Sequence, residues 1–291
     1  MEWIIFSIFT ALIWASVNTI DKYILTRWIR YPIVSVMILG VVGLIAGTFV
    51  YLTIGFSDLS YTNIILALIA GLFFMLMVYF YFNAVKIEEI SRVVPLLHLT
   101  PIFILLLASF FLGEVFEPIR YGGILLIVAG ALMISMKKSR LGKAFWLMVL
   151  GSLSLAINQV LTKYLLGFAD FWTIFSWTRF GAFISLIPIY LAYSKRLKDT
   201  VQEKGSKVIA FVSFNELLYL TGMVLITYAA SVGPITLVNA LSSLQPMFVF
   251  IFAVMLSIFF PRILEERVKG RTLLLKLIAI VMMVGGAVLV A

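Results

Sequence analysis

Cysteine is absent from the 291-residue chain, and histidine occurs once. The lack of thiols excludes disulfide bonds, thiolate nucleophiles and cysteine-based metal sites. No Gly-x-x-x-x-Gly-Lys-Ser/Thr loop occurs, so direct use of ATP is not expected. One histidine, without carboxylates clustered at metal-ligand spacing, also argues against a membrane-embedded enzyme acting on lipid. We therefore expect no cofactor and no metal.

Charge is scarce as well, at 12% of residues, whereas 63% are hydrophobic. A soluble core of this size could not bury so much apolar surface. The apolar residues form blocks of about 20, which fit helices crossing a bilayer rather than the short alternating strands of a barrel. The pattern predicts an all-α integral membrane protein of ten spans, the first retained because it lacks the features of a cleaved signal peptide. The predicted spans are 2–22, 32–54, 61–85, 91–112, 118–136, 144–166, 171–193, 208–230, 234–259 and 272–291.

The net charge of +9 comes from 22 basic and 13 acidic residues. Most of the basic residues lie in the odd-numbered loops between apolar blocks, which indicates a membrane protein rather than a nucleic-acid-binding one. The positive-inside rule places these loops in the cytoplasm and both termini outside, in a multi-pass protein of the plasma membrane. The longest of these loops, 194–207, is polar and could form a short interfacial helix.

Two halves of the chain repeat each other. Residues 11–25 align with residues 152–166 through a shared Lys-Tyr-x-Leu ending, and residues 93–103 align with 238–248 through a shared Pro. The predicted repeats are 1–140 and 141–291, with five spans each. An odd number of spans inverts the second copy, and inverted repeats around a central site are the basis of alternating access.

These features resemble the EamA branch of the drug/metabolite transporter superfamily over essentially the whole chain. The residues that carry the resemblance are Trp14, Lys22, Pro101, Gly113, Glu114, Lys163, Pro246, Gly285 and Gly286. The second half departs from the family pattern because it lacks the Trp and the Gly-Glu pair. The resemblance implies that both termini lie in the cytoplasm. The distribution of basic residues in this chain indicates the opposite orientation. The resemblance implies a transporter, typically an exporter, of amino acids, drugs or other metabolites.

Two charges lie deep within predicted spans, far from the span ends, where burial makes them expensive. Arg179 and Glu216 fall at similar depths on neighbouring antiparallel spans, within potential reach of each other. One interpretation makes Glu216 a proton- or cation-binding carboxylate, with Arg179 tuning it or holding an anionic group. The other is a static buried ion pair supported by Asn215 and Tyr219. A paired Glu216 would be a poor proton carrier at neutral pH, whereas an unpaired one could carry a proton.

Matching prolines near mid-membrane predict helix kinks in the fourth span of each half. Thr100 precedes Pro101, and Gln245 precedes Pro246. A proline leaves a backbone carbonyl unpaired, so the two kinks point to a central site. A packing kink is the simpler alternative, and for the prolines alone it is the favoured one.

Further polar side chains favour an inward face on span nine. Asn239, Ser243 and Gln245 lie at helical spacings that place several of them together. The lone His98 is expected to make a hydrogen bond between helices rather than to relay protons.

Lys22 and Lys163 lie at equivalent span ends. Snorkelling to the headgroups is the plain explanation, and a gate or substrate contact is the alternative. Asn18, Asn158 and Gln159 lie about one turn earlier and would line the same face.

Aromatic and small residues complete the set of candidates. Trp14 and Trp177 could wall an apolar substrate cavity, although interface belts and packing are the commoner use of such residues. Gly43 and Gly47 are spaced for a close helix–helix contact.

The sequence thus predicts a secondary transporter of small organic metabolites, with protons as a candidate coupling ion. A flippase for lipids or lipid-linked solutes is the alternative. A channel is not favoured, because neither rings of like charge nor a carbonyl filter repeat is visible. One chain with an internal repeat could form a complete pathway, so we expect a functional monomer.

Overall fold

The computed structural model describes residues 2–88, 90–97, 99–113, 115–135, 142–242, 244–259 and 271–290. In these residues all regular structure is α-helical, in twelve helices. They are α1 (Glu2–Arg27), α2 (Pro32–Ile54), α3 (Tyr61–Ile87), α4 (Ile90–Leu97), α5 (Thr100–Phe111), α6 (Pro118–Ser135), α7 (Lys143–Leu165), α8 (Phe171–Lys204), α9 (Lys207–Val232), α10 (Ile235–Ser242), α11 (Gln245–Phe259) and α12 (Arg271–Val290).

Seven segments of the described chain are long and apolar enough to cross a membrane. These are α1, α2, α3, α7, α8, α9 and the combined segment Ile235–Leu256. Shorter apolar helices occupy Thr100–Phe111, Pro118–Gly130 and Leu277–Gly286, within the remaining three predicted spans. The all-helical, multi-pass membrane class predicted from composition is therefore confirmed.

Two predicted spans are each broken into a pair of helices rather than merely kinked. The segment 91–112 becomes α4 and α5, and 234–259 becomes α10 and α11. Each second helix starts one residue before a proline, Pro101 or Pro246, whose missing N–H is tolerated in the first turn of a helix. The prolines therefore predicted the position of each interruption correctly, but they predicted a kink where the structure has two separate helices.

The predicted loop 194–207 differs from the structure. Helix α8 continues through it to Lys204 and ends at Gly205, whose positive φ of 72° suits a residue without Cβ. The run from Lys195 to Lys204 is rich in residues with good helix propensity, so the polar sequence ends the apolar span without ending the helix.

Helices from the two halves of the chain pack against each other in reciprocal pairs. Helix α1 packs on α9 and α3 on α7, while α2 packs on α8 and α6 on α12. The broken helices follow the same scheme, since α5 contacts α7 and α11 contacts α1. The interior therefore lies between the halves rather than within either one.

Glycines set the closest of these approaches. Gly43 and Gly47 of α2 face Arg179 of α8, where an added Cβ would lie 3.4 and 3.1 Å from its side-chain carbons. This confirms the close contact predicted from their spacing. A Cβ on Gly71 of α3 or on Gly181 of α8 would overlap the backbone of the facing helix.

Candidate functional site

A buried cavity lies where helices of both halves meet. The volume of this cavity that the centre of a water-sized molecule can occupy is about 80 Å³. Helices α1, α2, α3, α4 and α5 line it from the first half, and α7, α9, α10 and α11 from the second. Of the residues predicted to form a site, the cavity brings together Trp14, Asn18, Thr100, Pro101, Gln159, Asn215, Glu216, Tyr219, Asn239 and Gln245.

The two helix breaks both face this cavity. Thr100 and Gln245, the first residues of α5 and α11, line it, as do Asn239 and Ser242 at the end of α10. Thr100 Oγ1 donates to the Leu97 carbonyl, and Asn239 Nδ2 donates to the Ile235 carbonyl at 3.0 Å. Backbone ends at membrane depth require protein or a solvated cavity around them, and this site provides that environment.

Glu216 enters the cavity from α9 and is only 4% exposed. Its Oε1 atom has no hydrogen-bond partner among the described residues. Neighbouring Asn215 is 3% exposed, and its Oδ1 atom also lacks a partner there. An unpaired carboxyl oxygen beside an unpaired amide oxygen, both facing a cavity, can accept hydrogen bonds from a bound molecule or from water.

Arg179 does not form the ion pair with Glu216 that was one interpretation of the sequence. It is completely buried, and none of its three guanidinium nitrogens has a hydrogen-bond partner in the described chain. Its guanidinium carbon lies 4.2 Å from the centre of the Phe74 ring, a cation–π geometry. The two residues lie at similar depth, but Arg179 faces Phe74 and the glycines of α2, whereas Glu216 faces the cavity.

Asp21 is a cavity residue that sequence reasoning missed. It is 9% exposed and accepts hydrogen bonds from Asn215 Nδ2 at 2.8 Å and from the Tyr81 hydroxyl at 3.2 Å. The same hydroxyl donates to Asn18 Oδ1 at 3.0 Å. The signal was present in the spacing, because residues 14, 18 and 21 share one face of a helix. Asp21 was passed over because it adjoins Lys22 at the predicted end of a span.

Trp14 and Tyr219 stack on one another at the boundary of the cavity. Their ring centroids are 5.5 Å apart with an interplanar angle of 13°, and Trp14 Nε1 donates to the Tyr219 carbonyl at 3.3 Å. A second, smaller cavity of about 30 Å³ shares both rings, together with Leu155 and Gln159. The stacked pair is therefore a partition between two internal spaces.

Asn158, Thr162 and Lys163 line the smaller cavity. Asn158 Nδ2 donates to the Ala70 carbonyl at 2.9 Å, which ties α7 to α3. Its amide is thus used in helix packing, while its neighbour Gln159 reaches both cavities.

The two lysines make equivalent contacts in the two halves. Lys22 Nζ donates to the carbonyls of Val85 and Glu88, at 3.0 and 2.9 Å, around the C-terminal end of α3. Lys163 Nζ donates to the Ala230 carbonyl and, at 3.1 Å, to that of Gly233, around the end of α9. A lysine there satisfies terminal carbonyls and complements the negative end of the helix dipole.

Three further predicted site residues either pack elsewhere or cannot be placed. Trp177 packs between Phe56 and Phe180, with centroids at 5.4 and 5.7 Å, outside both cavities. His98 and Ser243 lie outside the described residues.

One contact outside the predicted spans joins a loop of the first half to a loop of the second half. Asp170 caps the N-terminus of α8, accepting from the backbone N–H groups of Trp172 and Thr173 at 2.8 and 3.1 Å. The Ser57 hydroxyl, in the loop between α2 and α3, also donates to it. Partial burial acts to raise the pKa of this carboxyl, but the hydrogen bonds outweigh it and hold the pKa below its ordinary value.

Comparison with a solved structure supports the fold. A crystal structure of a protein 16% identical in sequence covers 100% of this chain and 98% of its own, with a TM-score of 0.64. At that level of identity the likeness concerns the fold alone.

Sequence comparisons address the family. A chloroplastic WAT1-related protein of Arabidopsis thaliana is 27% identical over 162 residues, which span 52% of this chain and 39% of that protein. The model of the EamA-like transporter family matches residues 1–136. That family is one of membrane transporters, in agreement with the helical, multi-pass architecture. Residues 1–136 are therefore similar to the EamA-like transporter family.

Proposed function

We propose that the chain is a secondary transporter that moves a small organic metabolite, of the amino-acid or drug type, out of the cell by alternating access. The observation that carries this proposal is the buried polar cavity between the two halves, faced by both helix breaks. Discontinuous helices at a repeat interface are the usual framework of a transport site. Catalysis is not favoured, because the cavity-lining residues in the described part of the chain include no histidine.

The proposal includes ten spans arranged as two inverted repeats, 1–140 and 141–291. Its support is the reciprocal packing of the helices. If α1 corresponds to α7, α3 to α9 and α5 to α11, then the contact of α1 with α9 is equivalent to that of α7 with α3. The contact of Lys22 on α1 with the end of α3 corresponds in the same way to the contact of Lys163 on α7 with the end of α9. Two interchangeable halves could form conformations open to opposite sides at nearly equal free energy.

Coupling to protons is assigned in this proposal to Glu216. A carboxyl that is buried, unpaired at one oxygen and exposed to a cavity can take up and release a proton as the cavity's access changes. Asn215 and Tyr219 flank it, and Arg179 acts on it only through longer-range electrostatics. The basic odd-numbered loops would face the cytoplasm and both termini the outside of the plasma membrane, in a functional monomer.

Solute-driven proton movement in proteoliposomes tests this function. Wild type and Glu216→Gln would be screened in parallel against amino acids, other small metabolites and drugs. Glu203→Gln is the matched control, because Glu203 lies on the exposed, polar end of α8 with 67% of its side chain accessible. We expect one solute class to move protons with wild type and the control. Glu216→Gln should lose at least about tenfold in proton flux, while solute counterflow survives at a solute concentration high enough to fill the site.

Equal proton fluxes in wild type and Glu216→Gln would remove Glu216 from the coupling role and leave the transport function standing. Absence of flux for every solute would contradict the metabolite-transporter proposal. A lipid-scrambling assay on the same vesicles would then test the alternative flippase function.

A further inference from the structure

The main cavity has a pronounced imbalance of charge. Asp21 and Glu216 both line it, and its lining residues in the described chain include no lysine or arginine. Lys22, the sequence neighbour of Asp21, directs its ammonium to the carbonyls at the end of α3 instead. Arg179 is held against Phe74. Two carboxyl groups thus face a space that no cationic side chain of the described lining enters.

The unpaired polar atoms around this space are mostly acceptors. Glu216 Oε1 and Asn215 Oδ1, on side chains more than nine-tenths buried, and the buried Gln159 Oε1 lack partners among the described residues. Asn18 Nδ2 is a donor without a partner there, and the unpaired Ser35 hydroxyl can donate or accept. Buried polar atoms without partners are costly, so a molecule supplying N–H donors would remove an existing penalty.

Asp21 differs from Glu216 because its oxygens already have donors. Asn215 and Tyr81 hold it in a fixed orientation at the cavity wall. It would supply charge to a bound cation without having to reorganise, and such preorganisation reduces the cost of binding.

The helix ends at the two breaks do not reverse the negative charge balance of the cavity. The N-terminal ends of α5 and α11 each carry about half a positive charge. The C-terminal ends of α4 and α10, which contribute Leu97 and Ser242 to the lining, carry about half a negative charge each and lie at the same breaks. The two contributions largely offset each other, and the carboxyl groups dominate.

Aromatic rings complete the wall of the cavity. Trp14, Tyr81 and Tyr219 line it. Aromatic rings can contact both a cation and an apolar group attached to that cation. A bare metal ion would make no use of the apolar area of these rings.

We propose that the transported solute is a small organic cation, a protonated amine whose N–H groups donate to Glu216 and Asn215 while Asp21 supplies a second negative charge. This inference rests on the proposed transport function, which it deepens by naming the chemical class of the solute. The aromatic pair Trp14–Tyr219 packs against the apolar part of the amine.

Three probes of nearly the same shape test the inference by calorimetric titration of the purified full chain in detergent at neutral pH. They are phenethylamine, phenethyl alcohol and hydrocinnamate, which differ mainly in charge. The variants are Glu216→Gln and Asp21→Asn. Their controls are Glu203→Gln on α8 and Asp58→Asn in the exposed loop between α2 and α3. Gel filtration and thermal unfolding would establish that each variant is folded.

We expect phenethylamine to bind at least about tenfold more tightly than phenethyl alcohol, with hydrocinnamate the weakest. Glu216→Gln and Asp21→Asn should each weaken phenethylamine binding about tenfold or more and change alcohol binding by less than about threefold. The control variants should bind all three probes as wild type does. The wild-type comparison of amine with alcohol remains valid even if one variant does not fold.

Binding of the alcohol or of hydrocinnamate as tightly as the amine would overturn the inference, and so would no detectable binding of the amine. Folded Glu216→Gln and Asp21→Asn proteins that both keep full affinity for the amine would also overturn it. These failures are distinguishable from failure of the transport function. If the proteoliposomes carry a neutral or anionic solute, transport stands and only the amine assignment falls. If the amine binds and no solute is carried, transport falls and the amine site stands.

Discussion

At the scale of single residues, the depth of a side chain in a span can be read from the sequence, but the direction in which it points cannot. Arg179 and Glu216 were correctly placed inside the protein. Their separation depends on rotation about the axes of α8 and α9, which the apolar runs around both residues leave unspecified. The glycines of α2 accommodate Arg179 on a face away from the cavity.

The Asp170 cap provides a prediction with a defined pH dependence. Burial acts to raise the pKa of this carboxyl, and the hydrogen bonds from Ser57, Thr173 and two backbone N–H groups lower it by more. The folded-state pKa therefore lies below the unfolded value of about 3.9. The ionised cap stabilises the fold above that unfolded value, and its contribution is lost as the pH falls through the folded-state pKa.

We expect Asp170→Ala to lower the free energy of unfolding by about 1 kcal/mol at neutral pH, the usual cost of a lost N-cap. The difference from wild type should shrink when the pH is lowered from neutral to below the folded-state pKa. Thermal unfolding in detergent at the two pH values measures this. Asp58→Ala, in the same region but exposed, is the control and should have little effect. A difference that does not change with pH would contradict the role given to the ionised carboxylate.

Asp21 shows why part of the site escaped sequence reasoning. A charge next to a span end is normally solvated, and Lys22 beside it fitted a snorkelling role. In the structure α1 continues to Arg27, so Asp21 lies well inside the helix and on the face of Trp14 and Asn18. The error in the end of one helix, a few residues, was enough to exclude a central carboxylate from the candidates.

At the scale of helices, close packing between α3 and α8 depends on glycine. The absence of a side chain at Gly181 allows the backbone around Leu68 to approach, and Gly71 plays the reciprocal part. Such small-residue contacts let membrane helices pack where no hydrophobic effect drives them together.

We therefore expect Gly181→Ala to lower the free energy of unfolding by about 1–3 kcal/mol, because the new Cβ overlaps backbone that cannot move aside. This outweighs the gain of about 1 kcal/mol that alanine offers over glycine in a helix. Gly122→Ala is the matched control on α6, where a Cβ meets open space, and it should be neutral or slightly stabilising. Thermal unfolding in detergent compares the two, and equal stability of both variants would contradict this view of the α3–α8 contact.

The helix breaks show what sequence patterns can and cannot specify about an element. Pro101 and Pro246 marked both positions correctly. They did not distinguish a kink from a break, because a proline requires only that one backbone hydrogen bond be absent. Whether the neighbouring residues also leave the helix depends on the polar cavity that receives the freed groups, and that cavity is formed by other helices.

At the scale of the whole molecule, the membrane class could be predicted from composition and block length alone. Most of the polar residues predicted as site candidates line one cavity, while their role in binding stays a prediction. The net charge of the cavity could not be predicted, because it depends on the absence of basic side chains from the described part of its wall. That depends on Lys22 binding the end of α3 and on Arg179 facing Phe74, both of which are tertiary contacts.

The central claim is that the cavity is reached alternately from the two sides of the membrane, and the lack of native cysteine allows a direct test. Ser242 lines the cavity at the end of α10, so Ser242→Cys places one thiol there. An impermeant maleimide would be applied to right-side-out and to inside-out vesicles. Asp58→Cys and Lys198→Cys, at exposed positions on opposite sides of the proposed topology, report each face.

We expect the thiol at position 242 to be labelled from both sides of the membrane. Asp58→Cys should be labelled only from outside, and Lys198→Cys only from the cytoplasmic side. Labelling of position 242 from one side alone, or from neither side while both exposed thiols react, would contradict alternating access.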